Sequence, residues 1–170
     1  PTGLRYLLAL DVSGSMVVPI SGGPLSCREA SAAMALVTAG TEPNHAFCAF
    51  ASGGRDYGIN SRHLGYRGGL VPLDLSAKMR LRDAVEKTAS LPFGGTDCAL
   101  PMLSALDAKL EVDVFILFTD SETWAGGVHP SQALRQYRDK TGIAAKLVVC
   151  AMQANPFSIA DPNDAGMLDV

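Results

Sequence analysis

Tyr6-Leu7-Leu8-Ala9-Leu10-Asp11-Val12-Ser13-Gly14-Ser15 runs from five consecutive apolar residues straight into a carboxylate, a glycine and two hydroxyls. An apolar run without polar alternation predicts a strand buried on both faces, the kind found in a parallel sheet covered by helices. A second such run, residues 112–119 (VDVFILFT), ends at Asp120. Further strands are read at 46–51 and 146–152, and the stretches between them have helical periodicity. Ser26-Cys27-Arg28-Glu29 has the spacing of a capping box and opens a helix through about Thr38, with Gly40 placed to end it. Ser76 is read as the cap of a helix running to about Ser90, with Leu81, Val85 and Ala89 on one face. Residues 98–109 form another helix, with Pro101 early enough to be tolerated. Pro130 starts the last helix and Gly142 stands just past its end. Alternating strands and helices give an α/β domain: a doubly wound, mostly parallel central sheet with one antiparallel edge strand and helices on both faces. Residues 52–75, rich in Gly, Arg and Tyr, are irregular, with one short edge strand placed near Tyr57. Neither a repeat nor a low-complexity linker divides the chain, so residues 1–170 are read as one domain.

Composition narrows the class. With 48% hydrophobic and 18% charged residues among 170, the chain is neither disordered nor fibrous. A chain this long buries roughly 70% of its unfolded surface and needs no disulfide or structural metal to hold a core. Cys27, Cys48, Cys98 and Cys150 contain no CxxC pair and read as small buried hydrophobes of a reduced, cytoplasmic protein. Fourteen Lys and Arg against seventeen Asp and Glu give a net charge of −3, which argues against a domain-wide nucleic-acid clamp. No apolar run approaches the ~20 residues of a membrane helix. The expectation is a monomer that makes no membrane contact and carries no secretory leader.

The chemistry concentrates where the apolar runs end. In a doubly wound sheet, ligands bind beyond the carboxyl ends of the strands where strand order reverses, so neighbouring strands would bring Asp11 and Asp120 to one crevice. Taken singly, each Asp is equally well a turn or cap residue. Asp11, Ser13 and Ser15 fall at i, i+2 and i+4, and Gly14 lets the loop turn tightly. Gly94-Gly95-Thr96-Asp97 supplies a third hydroxyl from a second glycine-rich loop. Hard oxygen ligands suit Mg²⁺ or Mn²⁺, whereas zinc prefers His and Cys. Ser13, Ser15 and Thr96 can bind such an ion directly. Asp11 and Asp120 can bind it directly or hold its waters, since magnesium dehydrates reluctantly. With few direct negative ligands, the ion stays electrophilic and keeps a position for an outside carboxylate or phosphate.

DVSGS (11–15), GGTD (94–97) and FTDSE (118–122), in this order, resemble the von Willebrand factor A domain and its metal-ion-dependent adhesion site. On that pattern the five ligand positions correspond to Asp11, Ser13, Ser15, Thr96 and Asp120, all present without substitution. GGTDCALPM (94–102), FTDSETWAGGVHP (118–130), AKLVVCAM (145–152) and IADPNDAGMLDV (159–170) closely resemble the A domain of the Ro 60-kDa ribonucleoprotein autoantigen family, the TROVE-module proteins. The similarity covers nearly the whole chain and is weakest at residues 52–75. It implies a Rossmann-like A-type fold and a magnesium- or manganese-dependent interaction module, not an enzyme. It further implies that an acidic group of a partner protein completes the metal site. Residues 1–170 would then be a C-terminal piece of a longer protein whose ring of helical repeats binds small non-coding RNAs such as Y RNA. Further chain after Val170 is expected to complete a last strand and a closing helix.

Competing readings rest on other residues. Arg55, Arg62 and Arg67, with Lys78, Arg80 and Arg82 and the interleaved Tyr57 and Tyr66, form a basic 55–82 segment opposed by Asp56 and Asp74 alone. Guanidinium groups pair with phosphate and tyrosines stack on bases, so this segment is the candidate for direct RNA contact. A metal-dependent hydrolase would combine Ser13 or Ser15 with His129, but neither a GxSxG elbow nor a GxxxxGK[ST] loop is present. His129 reads more plainly as a loop or cap residue, and His45, His63 and His129 do not group into a zinc site. Trp124 falls on the loop after Asp120, available to a partner or packed on the sheet rim. Extracellular adhesion suits the A-domain fold but not four unpaired cysteines.

Overall fold

Residues 1–20, 22–51, 70–91, 95–120, 126–153 and 158–170 are described in the computed structural model. The two apolar runs form β1 (Tyr6–Asp11) and β4 (Val114–Thr119), hydrogen-bonded side by side in parallel from Tyr6 opposite Val114 to Leu10 opposite Phe118. On the other side of β1 lies β2 (His45–Phe50), also parallel, and then β3 (Leu70–Leu73), antiparallel at the edge. Beyond β4 follow β5 (Lys146–Ala151) and the short β6 (Met167–Asp169), both parallel. The order β3-β2-β1-β4-β5-β6 is the expected doubly wound sheet, and its direction of growth reverses between β1 and β4.

Alternate residues of each strand feed two cores. Leu7, Ala9, Phe115, Leu117, Leu147 and Val149 pack under α3 (Leu100–Asp107) and α4 (Pro130–Thr141). Leu8, Leu10, Phe47 and Phe118 pack under α1 (Cys27–Thr41) and α2 (Leu81–Ala89). The α1 face is built of small residues, Ala32, Ala35 and Ala39, which let the helix lie close to the sheet. The opposite core is anchored by Tyr137, whose ring meets Phe115 edge-on at 5.1 Å. Its hydroxyl donates to the Leu110 carbonyl and accepts from the Val112 N–H, each at 2.7 Å.

Several local expectations hold. Ser26 and Glu29 complete both halves of the capping box, and Pro130 and a left-handed Gly142 (φ 72°) bracket α4. All four cysteines are buried and free, and burial pushes the Cys48 thiol up to about 12. Others are corrected. Gly40 lies inside α1, which runs through Thr41 before Glu42 leaves helical geometry. Ser76 caps no helix: its hydroxyl accepts from the Lys78 N–H in a turn, and α2 starts only at Leu81. The fully buried positions of α2 are Ala84 and Thr88; of the expected face, Val85 packs half-buried against the same core, while Leu81 and Ala89 are exposed. Packing against α1 selects the small side chains, which permit close approach, and leaves Leu81 37% exposed at the rim. The helix read at 98–109 is α3, shorter at both ends, with Lys109 in the left-handed region (φ 54°) just after it. The described edge strand is Leu70–Leu73, and Pro72 is tolerated there because an edge strand need not donate on both sides. Tyr57, near which an edge strand was expected, lies outside the described residues. Among the described residues no helix is long and apolar enough to cross a membrane.

Candidate metal centre

Asp11 closes β1 and is 1% exposed. Its Oδ1 accepts from the Ser13 N–H at 2.7 Å, while Oδ2 accepts from the Thr119 hydroxyl at 2.7 Å and the Thr96 hydroxyl at 3.3 Å. Burial pushes this carboxyl above the usual aspartate range, opposed by the hydrogen bonds from Thr119 and Ser13. After Ser13 the chain turns through one 3₁₀ turn, Gly14–Val17, pinned to the core by the fully buried Met16. The turn sets the Ser13 and Ser15 hydroxyls 3.1 Å apart and lets Ser15 donate to Asp120 Oδ1 at 3.1 Å. Asp120, 6% exposed, stands one residue past the end of β4. The structure thus joins all five expected residues in one hydrogen-bonded group at the switch point: Thr96 to Asp11, Asp11 to Ser13, Ser13 to Ser15, and Ser15 to Asp120.

Two features escaped the sequence reading. Thr119, the last residue of β4 and fully buried, bonds Asp11 more closely than Thr96 does. The pairing of Leu10 with Phe118 puts Asp11 beside Thr119, a neighbour that only the strand register reveals. Arg28, on the first turn of α1, is 7% exposed and lies within the field of Asp11; burial lowers its pKa and the Asp11 charge partly restores it. Gly126 lies against the Asp97 carboxylate: a Cβ there would overlap it, so any larger residue would require the Asp97 side chain to shift. Asp97 Oδ1 meanwhile accepts from the Ala99 N–H at 3.1 Å, tying that loop to the approach to α3.

The donors are carboxylate and hydroxyl oxygens, a set whose hardness fits Mg²⁺ or Mn²⁺. Among the described residues no three His, Cys, Asp or Glu side chains group to hold a metal, so a softer-ligand site is absent there. His129 is the N-cap of α4, accepting from the Ser131 N–H at 3.2 Å, as the cap reading expects. Its Nδ1 also lies 2.8 Å from the Ser131 hydroxyl. Arg55, Arg62, Arg67, Tyr57, Tyr66, His63 and Trp124 lie outside the described residues. Of the remaining basic segment, Lys78 and Arg80 are exposed and Arg82 pairs with Glu86 one helical turn on, at 2.9 Å.

Comparison with known proteins places this geometry. The family model described as the Ro60 vWA domain matches residues 5–170. The RNA-binding protein RO60 of Caenorhabditis elegans is 44% identical over 171 residues, covering 100% of this chain and 24% of that protein. The RNA-binding protein RO60 of Deinococcus radiodurans is 45% identical over 172 residues, covering 100% of this chain and 29% of that protein. The crystal structure of the Deinococcus radiodurans RO (RSR) protein superposes with a TM-score of 0.82 at 44% identity, over 99% of this chain and 31% of that one. At 17% identity, BatB from Bacteroides thetaiotaomicron (TM-score 0.54, 88% of this chain and 66% of that one) shares the fold alone. The chain therefore spans less than a third of the length of these RO relatives. By the match over residues 5–170 and by identity over its whole length, the chain belongs to the Ro60 von Willebrand factor A domain family.

Proposed function

We propose that this domain is a divalent-cation-dependent interaction module of a Ro-like ribonucleoprotein, and that it is not an enzyme. The observation that carries the reading is the hydrogen-bonded group of two carboxylates and three hydroxyls from three separate loops at the sheet's switch point. Ser13, Ser15 and Thr96 would hold Mg²⁺ or Mn²⁺ directly, with Asp11 and Asp120 binding it or its waters. When bound, the ion supplies an electrophilic position that an acidic group of a partner protein, or of another part of the parent chain, completes. Thr119 fixes the orientation of Asp11. Arg28, nearly buried on the first turn of α1, adds positive charge within the field of Asp11, which favours an anionic visitor. In this reading residues 1–170 are the C-terminal, A-type domain of a longer cytoplasmic RNA-binding protein, monomeric, with small non-coding RNA such as Y RNA held by the rest of that protein. The names of the RO relatives support RNA as the parent's partner.

Thermal unfolding in EDTA and across a Mg²⁺ and Mn²⁺ titration tests the metal reading. An ion at about 100 times its dissociation constant adds ~2.7 kcal/mol, a few degrees for a domain of this size. The gain should vanish in Asp11→Ala and shrink in Ser15→Ala, whose exposed position spares the fold. A wild type unmoved by either ion, or an Asp11→Ala variant that keeps the gain, defeats the proposal. Exposed Lys78 and Arg80 favour the alternative of direct RNA contact through residues 55–82. That reading requires a salt-dependent RNA affinity that survives EDTA and falls on Arg62→Glu.

A further inference from the structure

The connection between β1 and α1 has a feature that the metal reading leaves unused. Just after Ser15 the chain exposes Val17 and Val18, by 56% and 43%, and Leu25 is 43% exposed. Single apolar side chains are common on surfaces, but three large ones within residues 17–25, beside a candidate site, mark an interaction surface. A built scaffold holds them outward. The 3₁₀ turn closes with the Val18 N–H on the Ser15 carbonyl at 3.0 Å. A short hairpin follows, in which the Ile20 N–H donates to the Leu25 carbonyl and the Cys27 N–H to the Val18 carbonyl, each at 2.9 Å. Pro19 bridges Ser26 between these two bonds, which brings Leu25 alongside the segment carrying Val18. Met16 and Cys27, both fully buried, anchor the two ends in the core.

Position relates this rim to the metal group. Asp11, Ser13, Thr96 and Asp120 are buried, and Ser15 is the exposed member of the five. A group arriving from solvent therefore meets Ser15, with Val17 within about 8 Å of it along the chain. Residues 12–27 carry no charged side chain, so what lies beside the incoming anion is read there by apolar contact and not by ion pairing.

We infer that Val17, Val18 and Leu25 form a specificity rim, and that the partner protein offers a carboxylate flanked by a large aliphatic side chain. The inference rests on the metal reading proposed above: the ion takes the carboxylate and the rim takes its neighbour. Backbone hydrogen bonds already order the hairpin, so little entropy is lost there on binding.

NMR titration of the isotope-labelled 170-residue chain in saturating Mg²⁺ tests this with three capped tripeptides: acetyl-Leu-Asp-Leu-amide, acetyl-Gly-Asp-Gly-amide and acetyl-Leu-Asn-Leu-amide. The first should give saturable methyl shifts at Val17, Val18 and Leu25. It should bind about tenfold more tightly than the second, as expected for partial burial of one leucine. Neither the third peptide, which lacks the carboxylate, nor the first in EDTA should bind. Val17→Ser combined with Leu25→Ser, both at exposed positions, should equalise the two aspartate peptides, whereas Val37→Ser, exposed further along α1, should not. Equal affinity for the two aspartate peptides in the wild type overturns the inference. So does the absence of saturable shifts from a domain that Mg²⁺ still stabilises against heat; in both cases the metal reading stands. Rim shifts given by the asparagine peptide, or persisting in EDTA, make the rim an apolar patch independent of the ion and overturn the inference too. A wild type that Mg²⁺ does not stabilise removes the metal reading itself, and the inference falls with it.

Discussion

The two ends of the β1–β4 pair carry charge in opposite ways. At the amino end, Arg5 donates to both Asp113 oxygens, 2.8 Å each, and pairs with Glu111, so the guanidinium offsets one of two carboxylate charges at a surface where water screens the rest. At the carboxyl end, Asp11 and Asp120 are nearly buried and are met by hydroxyls and a backbone N–H. The first arrangement already holds its cation, while the second concentrates negative charge in a low-dielectric crevice and gains from one. Arg5 holds Asp113 below the usual aspartate range, whereas burial holds Asp11 above it. The two carboxylates thus differ because Asp113 is hydrogen-bonded directly by a guanidinium at the surface, whereas Asp11 is buried among hydroxyls, with the Arg28 charge acting on it only through the field.

The contrast breaks most visibly under metal. Saturating Mg²⁺ should raise wild-type stability by ~2.7 kcal/mol at about 100 times the dissociation constant, measured by urea unfolding against an EDTA control. Asp11→Asn should lose that gain entirely, while Arg5→Ala, at the amino end, should keep it. Next in size is the loop contact at the carboxyl end. Gly126→Ala forces a methyl into the Asp97 carboxylate and should cost about 1–3 kcal/mol, read from the urea midpoint. Gly127→Ala next to it meets nothing within 4 Å and should stay within about 0.5 kcal/mol of wild type. Equal losses in the two variants would show that the loops do not depend on that close approach.

The two ends should also titrate in opposite senses. A carboxyl raised in the folded state makes metal-free stability fall as pH rises from about 4 through the raised value. Asp11→Asn in EDTA should flatten that limb, and Mg²⁺ should reverse it. Asp113, lowered in the folded state, contributes stability that is present above about 4 and lost as pH falls through the lowered value, so Asp113→Asn should flatten the acid limb. Urea midpoints collected across pH check both, and a wild-type profile unchanged by either variant would remove the contrast. The smallest effect belongs to Arg5→Ala itself: a loss at low ionic strength that salt abolishes, as expected of an exposed pair.

Much of this was legible from residue order. The uninterrupted apolar runs before Asp11 and Asp120 predicted central parallel strands, because a strand covered on both faces has no polar side to alternate with. Ser26 with Glu29, and Pro130 with Gly142, marked helix ends through local hydrogen bonds and backbone preference, which need no distant partner. The same logic failed at Ser76, whose hydroxyl satisfied a turn, and at α2, whose buried face was chosen by α1. Thr119 went unassigned because its importance depends on which strand lies beside it.

By itself, then, the sequence determined the strand and helix order, the family, and the five oxygen-bearing residues at three loop positions. These follow from short-range periodicity and from motifs whose members are adjacent in the chain. Only the tertiary structure decided that Asp11 would sit beside Thr119, that Gly126 would lie against Asp97, and that Ala84 and Thr88 would be the buried positions of α2. Those relations join residues far apart in sequence, and they are settled by side-chain volume and hydrogen-bond satisfaction once the layers have packed.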